Sequence, residues 1–134
     1  MMVRHIYLCF LSIFFVSFVA TSETDCTAKK TQIMKPLYPS VKISGYVVIQ
    51  YDVNESGKVL NPISIESKCL LKDRKNGGKS FQDCGLFIYE SIAASRYIEY
   101  EKPLSSNGES CRLLEQNYKY TFVKNDEDKK YFKN

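Results

Sequence analysis

The body of this chain lacks histidine: the single one, His5, sits at the extreme N-terminus. Without it there is no Ser–His or Cys–His pair to activate a nucleophile, no imidazole general base and no histidine metal ligand. The acids fall at turns and on polar faces, where solvation accounts for them, so the expected class is a binding protein rather than an enzyme, with no cofactor. Cysteines at C-x-x-C spacing are missing too, which disfavours a Cys₄ zinc site at Cys26, Cys69, Cys84 and Cys111. There is no Lys/Arg block and no basic helix face, which argues against nucleic acid as the partner. The basic stretch Leu70 to Lys79, containing KDRKNGGK, lacks the glycine and lysine spacing of a P-loop and reads as a solvated surface loop.

What is present begins with an export signal. Arg4 precedes an uncharged apolar run from Ile6 to Ala20, followed by Ala20-Thr21-Ser22 and the polar Glu23-Thr24-Asp25. This is the plan of a cleavable signal peptide over residues 1–22. The run of 15 residues is short against the ~20 that span a bilayer; an uncleaved anchor at 6–20 is the alternative. Cleavage leaves 112 residues and lowers the formal charge from +4 to +3, since Arg4 is lost. It also removes Cys9 and leaves four cysteines, an even set for an oxidising compartment. Three pairings are open: Cys69–Cys84 is the local one, and Cys26–Cys111 would then staple the ends of the domain.

The pattern of the rest is organised around Gly45 to Ser67. Two alternating runs flank Asn54-Glu55-Ser56-Gly57 and predict a β-hairpin, with Val47, Ile49, Tyr51 and Val53 on one face of the first strand. Val59, Ile63 and Ile65 are expected to do the same on the second, which Pro62 places towards an edge. Residues 23–35 read as a polar arm, and Pro36-Leu37-Tyr38-Pro39 as a stiff entry whose Leu37 and Tyr38 pack on the domain. Ser80-Phe81-Gln82-Asp83 has capping-box form and predicts a helix start, with Phe81, Cys84, Ile88, Ile92 and the Ser95, Tyr97 and Ile98 region facing the sheet and Phe87, Tyr89 and Arg96 elsewhere. Cys111 to Val123 predicts the last strand, with Leu114, Tyr118, Tyr120 and Phe122 on its core face. Residues 125–134 read as a frayed charged tail. The expected fold is α+β, two-layer: a three-stranded antiparallel sheet of hairpin, helix and final strand, with one main helix on one face. The order second–first–last leaves the last strand a free edge, open to β-augmentation.

Tyr38-Pro39, Gly45-Tyr46-Val47-Val48-Ile49, Tyr51-Asp52-Val53, Ser56-Gly57-Lys58-Val59, Ile63 to Ser67, a helix opening at Phe81, Arg96-Tyr97, Asn107-Gly108 and a final strand closing on Phe122 occur in an order that resembles the C-terminal domain of the TonB energy transducers and their short periplasmic relatives. The resemblance covers residues 36–124. It implies a periplasmic domain that binds a peptide of an outer-membrane transporter, or another envelope protein, by strand addition and so contributes to energy-coupled transport. The implied binding edge comprises Leu113, Glu115, Asn117, Lys119, Thr121 and Val123, with Tyr38 nearby; no catalytic residues come with it. The expected cleavage of the apolar run, the four remaining cysteines, the Leu70–Lys79 insertion and the delayed Tyr100-Glu101-Lys102-Pro103 depart from a full transducer, and so does the linker. No long Pro-rich linker follows the apolar run, and residues 21–35 reach only about 50 Å when fully extended. The alternatives are a minimal transducer anchored by residues 6–20, or a secreted, disulfide-braced inhibitor or accessory protein. A homodimer formed by strand exchange stays open.

Overall fold

The computed structural model describes residues 25–133; the expected signal peptide or anchor at 1–22 lies outside the described residues. β2 (Gly45–Val53), whose side chains alternate between buried and half-buried, is a central strand of the main sheet, paired on both sides. Its inward residues Val47, Ile49, Tyr51 and Val53 are buried to 1 % exposure or less. Each such side chain stabilises the fold by about 2 kcal/mol on area grounds. The turn at Asn54 closes the hairpin: Gly57 N–H donates to the Asn54 carbonyl at 2.9 Å, and Asn54 Oδ1 accepts from Ser56 and Lys58 N–H. Gly57 has φ of +83°, and a Cβ there would strike the backbone of Tyr100.

β3 (Val59–Lys72) returns antiparallel to β2. It is bulged at two places. Val48 pairs with Glu66 but Ile49 with Ser64, and Gln50 pairs with Ile63 but Asp52 with Leu60. Each extra residue turns the strand, and Asn61 takes a left-handed conformation, φ 49°. Ile63 and Ile65 consequently point outward, 53 % and 49 % exposed, instead of joining Val59 at the core face. Pro62 stands where β3 has only β2 as a neighbour, as an edge position requires.

The α+β class holds, but the sheet is not three-stranded. Its order is β4-β3-β2-β6, with β4 (Lys79–Asp83) and β6 (Leu113–Phe122) at the edges. A separate two-stranded sheet pairs β1 (Lys30–Gln32) with β5 (Glu99–Tyr100). The expected helix start at Ser80 is thus a strand. Ser80, Phe81 and Gln82 pair with Leu71, Leu70 and Cys69, and Phe81 packs edge-on against Tyr46 at 5.1 Å and Phe132 at 5.3 Å. An aromatic seated between two others on a sheet face outweighs a four-residue capping pattern. The basic loop shrinks to residues 73–78, a turn in which Asp73 N–H donates to the Gly78 carbonyl at 2.6 Å.

The helix α1 (Ile88–Ser95) begins later and buries small residues, Ser91, Ala94 and Ser95, against β2 and β3. Phe87, expected on a flank, is its cap residue and is fully buried, stacked on Phe122 at 4.3 Å between ring centres. Two disulfides close the framework. Cys69–Cys84 joins β3 to the chain leaving β4, and Cys26–Cys111 joins the arm to the start of β6. The tail is not frayed: residues Glu127–Phe132 form a 3₁₀ turn that buries Asp128 at 3 % exposure. Its carboxylate accepts from Ser44 Oγ and Lys79 Nζ, each at 2.6 Å. Among the described residues no helix is long and apolar enough to cross a membrane.

Candidate functional site

Among the described residues the ten-residue β6 pairs with β2 alone. Its outer side carries backbone donors and acceptors with no strand opposite among the described residues. The register is irregular at its start, where Glu115 adopts φ of 51° and its N–H donates to Asp52 Oδ1 at 2.9 Å. This bulge exchanges the roles of two leucines. Leu113 is buried in the core, and Leu114, expected there, is 65 % exposed. From Gln116 onward the alternation is regular: Tyr118, Tyr120 and Phe122 face inward, while Asn117, Lys119 and Thr121 are exposed.

The chain between β1 and β2 runs beside this free edge without pairing to it. Residues 33–38 belong to no helix or strand. Across from them stand Tyr118, Lys119, Tyr120, Thr121 and Phe122, and the two walls enclose a cleft of about 350 Å³. Tyr38 anchors one end of the arm. Its ring meets Phe87 at 6.0 Å and Phe122 at 5.7 Å, both edge-on, and its hydroxyl donates to the Ile43 carbonyl at 2.7 Å. The other end is fixed by β1 and by Thr27, whose N–H and carbonyl bond reciprocally with Leu104. Leu37, expected to pack, is instead largely exposed.

Tyr118 and Tyr120 of the cleft wall belong to a tyrosine cluster with Tyr51 and Tyr100. The Tyr51 and Tyr100 hydroxyls lie 2.6 Å apart, and the Tyr118 ring meets Tyr120 edge-on at 4.8 Å. Burial raises the pKa of Tyr51, Tyr100 and Tyr120, so all stay protonated as donors across the physiological range. The Tyr120 hydroxyl is buried without a hydrogen-bond partner. Lys30 caps the cluster, with its ammonium 4.4 Å from the Tyr118 ring centre and 5.7 Å from that of Tyr100. Burial lowers the pKa of this lysine.

Of the edge residues expected from the sequence, Lys119, Thr121 and Tyr38 come together as cleft walls. Glu115 and Asn117 are exposed nearer the start of the strand, Leu113 belongs to the core, and Val123 follows the strand's end half-buried. The four cysteines are paired in disulfides. Among the described residues no group of three or more His, Cys, Asp or Glu is placed to hold a metal ion.

Two features of the site escaped sequence reading. Residues Ile33 to Pro36 form the opposite wall, and their position depends on β1 pairing with a strand nearly 70 residues later. The same arm also walls a second, apolar cleft of about 280 Å³ with Tyr89, Ala93 and Tyr97 of the helix region. The available signal for it was Met34, Leu37, Tyr89 and Tyr97, apolar residues outside the alternating core pattern. Comparison of the chain with protein-family models and with curated proteins finds no match.

Proposed function

We propose that this chain is an exported protein-binding module of the TonB C-terminal type, which adds an extended segment of an envelope protein to its β6 edge. The observation that carries this reading is the unpaired outer side of β6 facing an open cleft whose far wall makes no strand with it. An incoming strand finds the hydrogen-bonding row already straight from Gln116 to Phe122, so little ordering cost falls on the module. Two disulfides support an oxidising compartment such as the periplasm or the exterior. A peptide of an outer-membrane transporter is the partner that the family resemblance suggests, with energy-coupled transport as the process.

The test begins with a photo-crosslinker at Thr121 to capture the partner from envelope extract. Binding of that partner's segment is then measured on Asn117→Pro. Proline denies the added strand a regular ladder, and binding is expected to fall by about tenfold or more, with the circular dichroism spectrum retained. Unchanged affinity in a folded Asn117→Pro chain overturns the edge reading. A mature N-terminus near Glu23 would separate a free module from an anchored transducer.

A further inference from the structure

Charge along the β6 cleft is one-sided. Among the described residues Lys35 and Lys119 line it and no carboxylate does. Two more lysines sit over rings that belong to its walls: Lys30 at 4.4 Å from the Tyr118 centre and Lys124 at 5.6 Å from the Tyr38 centre. Lys119 itself rests over Tyr46 at 4.1 Å. None of the four has a carboxylate partner among the described residues. Elsewhere the lysines and arginine that do pair find acids readily, as Lys58 does with Glu99, Lys68 with Asp83 and Lys79 with Asp128. An aromatic face restrains an ammonium without neutralising it, so Lys30 and Lys124 are held against rings of the cleft walls with no carboxylate partner among the described residues, while Lys119 lines the cleft and reaches over Tyr46. Their fields reach across the width of the cleft, since the screening length is about 8 Å at physiological salt.

We propose that the Tyr118–Phe122 end of the cleft selects an acidic strand, an extended peptide carrying Asp or Glu beside the residues that pair with β6. This rests on the edge-pairing function proposed above and adds the chemistry of the partner. A peptide is chosen over other anions because the free edge presents both N–H donors and carbonyl acceptors. Phosphate-bearing polymers and lipid headgroups supply acceptors but no matching row of donors, whereas a second strand supplies both.

The test uses two peptides of about ten residues, the length of β6, one alternating Thr with Glu and the other Thr with Gln. Binding is followed by shifts of the β6 amides in NMR spectra of the full mature chain. The Glu peptide is expected to bind about tenfold more tightly than the Gln peptide at about 50 mM salt, with the gap closing at about 500 mM. Replacing Lys35, Lys119 and Lys124 together by Gln is expected to remove the preference while leaving the Gln peptide's affinity unchanged. Equal affinities for the two peptides overturn the acidic preference and leave edge pairing standing. No β6 shifts with either peptide overturn both. Tighter binding of an oligo-dT or of anionic vesicles at the same amides overturns the choice of a peptide, and self-association of the chain through β6 overturns it in favour of a second copy.

Discussion

At one edge of the sheet, β4 presents five residues; at the other, β6 presents ten. The short edge is covered on several counts. Phe81 lies between Tyr46 and Phe132, Lys79 is engaged by the tail through Asp128, Lys68 pairs with Asp83, and Cys84 is tied to Cys69. A short strand, a lysine on it and a covering segment are the usual protections against unwanted strand pairing. Along Gln116 to Phe122 the long edge carries one lysine, Lys119, but it is not short and no described segment covers it, since the arm opposite stands off across a cleft. A fold that can shield one edge so fully has the means to shield the other. The contrast therefore points to β6 as the edge left available for use.

The covalent ties offer the strongest way to break this comparison. Cys26–Cys111 spans 85 residues at the β6 edge and Cys69–Cys84 spans 15 at the β4 edge. Loop-closure entropy assigns about 4–5 kcal/mol to the longer and about 3 kcal/mol to the shorter. Urea denaturation of the paired Cys→Ser variants is expected to return that order; a larger loss at the β4 edge would show that the open edge does not depend on its staple.

The tail supplies a smaller effect. Burial disfavours the charge on Asp128, but the hydrogen bonds from Lys79 and Ser44 outweigh it and hold the carboxyl below the ordinary aspartate value. A depressed folded-state pKa contributes stability that is present above the ordinary value near pH 4 and lost as pH falls through the folded one. Asp128→Asn is expected to flatten the acid limb of the stability profile below about pH 4. Asp128→Ala is expected to cost about 2 kcal/mol at neutral pH, with faster hydrogen exchange at β4 than at β6. Uniform exchange gains would mean that the tail supports the whole sheet. The smallest expected effect is at the bulge: Ile63→Ser changes stability by no more than about 0.5 kcal/mol, since the side chain is half exposed. A loss of several kcal/mol at that position would place it in the core after all.

The central strand was legible because Val47, Ile49, Tyr51 and Val53 recur at a period of two along a strand that is paired on both sides. The order of β3, β2 and β6 followed from it, as did the free edge. Bulges were not legible. Ile63, Ile65 and Leu114 look apolar and correctly spaced, and only the pairing register shows that an extra residue has turned them outward. The start of the helix was lost for a similar reason: Ser80 and Asp83 satisfy a local cap, while the pairing of Phe81 with Leu70 and its packing on Tyr46 and Phe132 are long-range. In the candidate site, Lys119, Thr121 and Tyr38 could be named from the sequence. Lys30, Lys35 and the cleft could not, because their place is set by the arm's distant pairing with β5.

The Cys26–Cys111 bond has a mechanical meaning as well. Cys111 lies two residues ahead of β6, and Cys26 lies at the start of the described chain. Suppose a strand added at β6 is pulled while the chain ahead of Cys26 is held. Tension then passes from β6 through the two sulfurs and leaves the molecule at once. Residues 27–110 are outside that load path, so hairpin and helix stay slack while the edge bears the force.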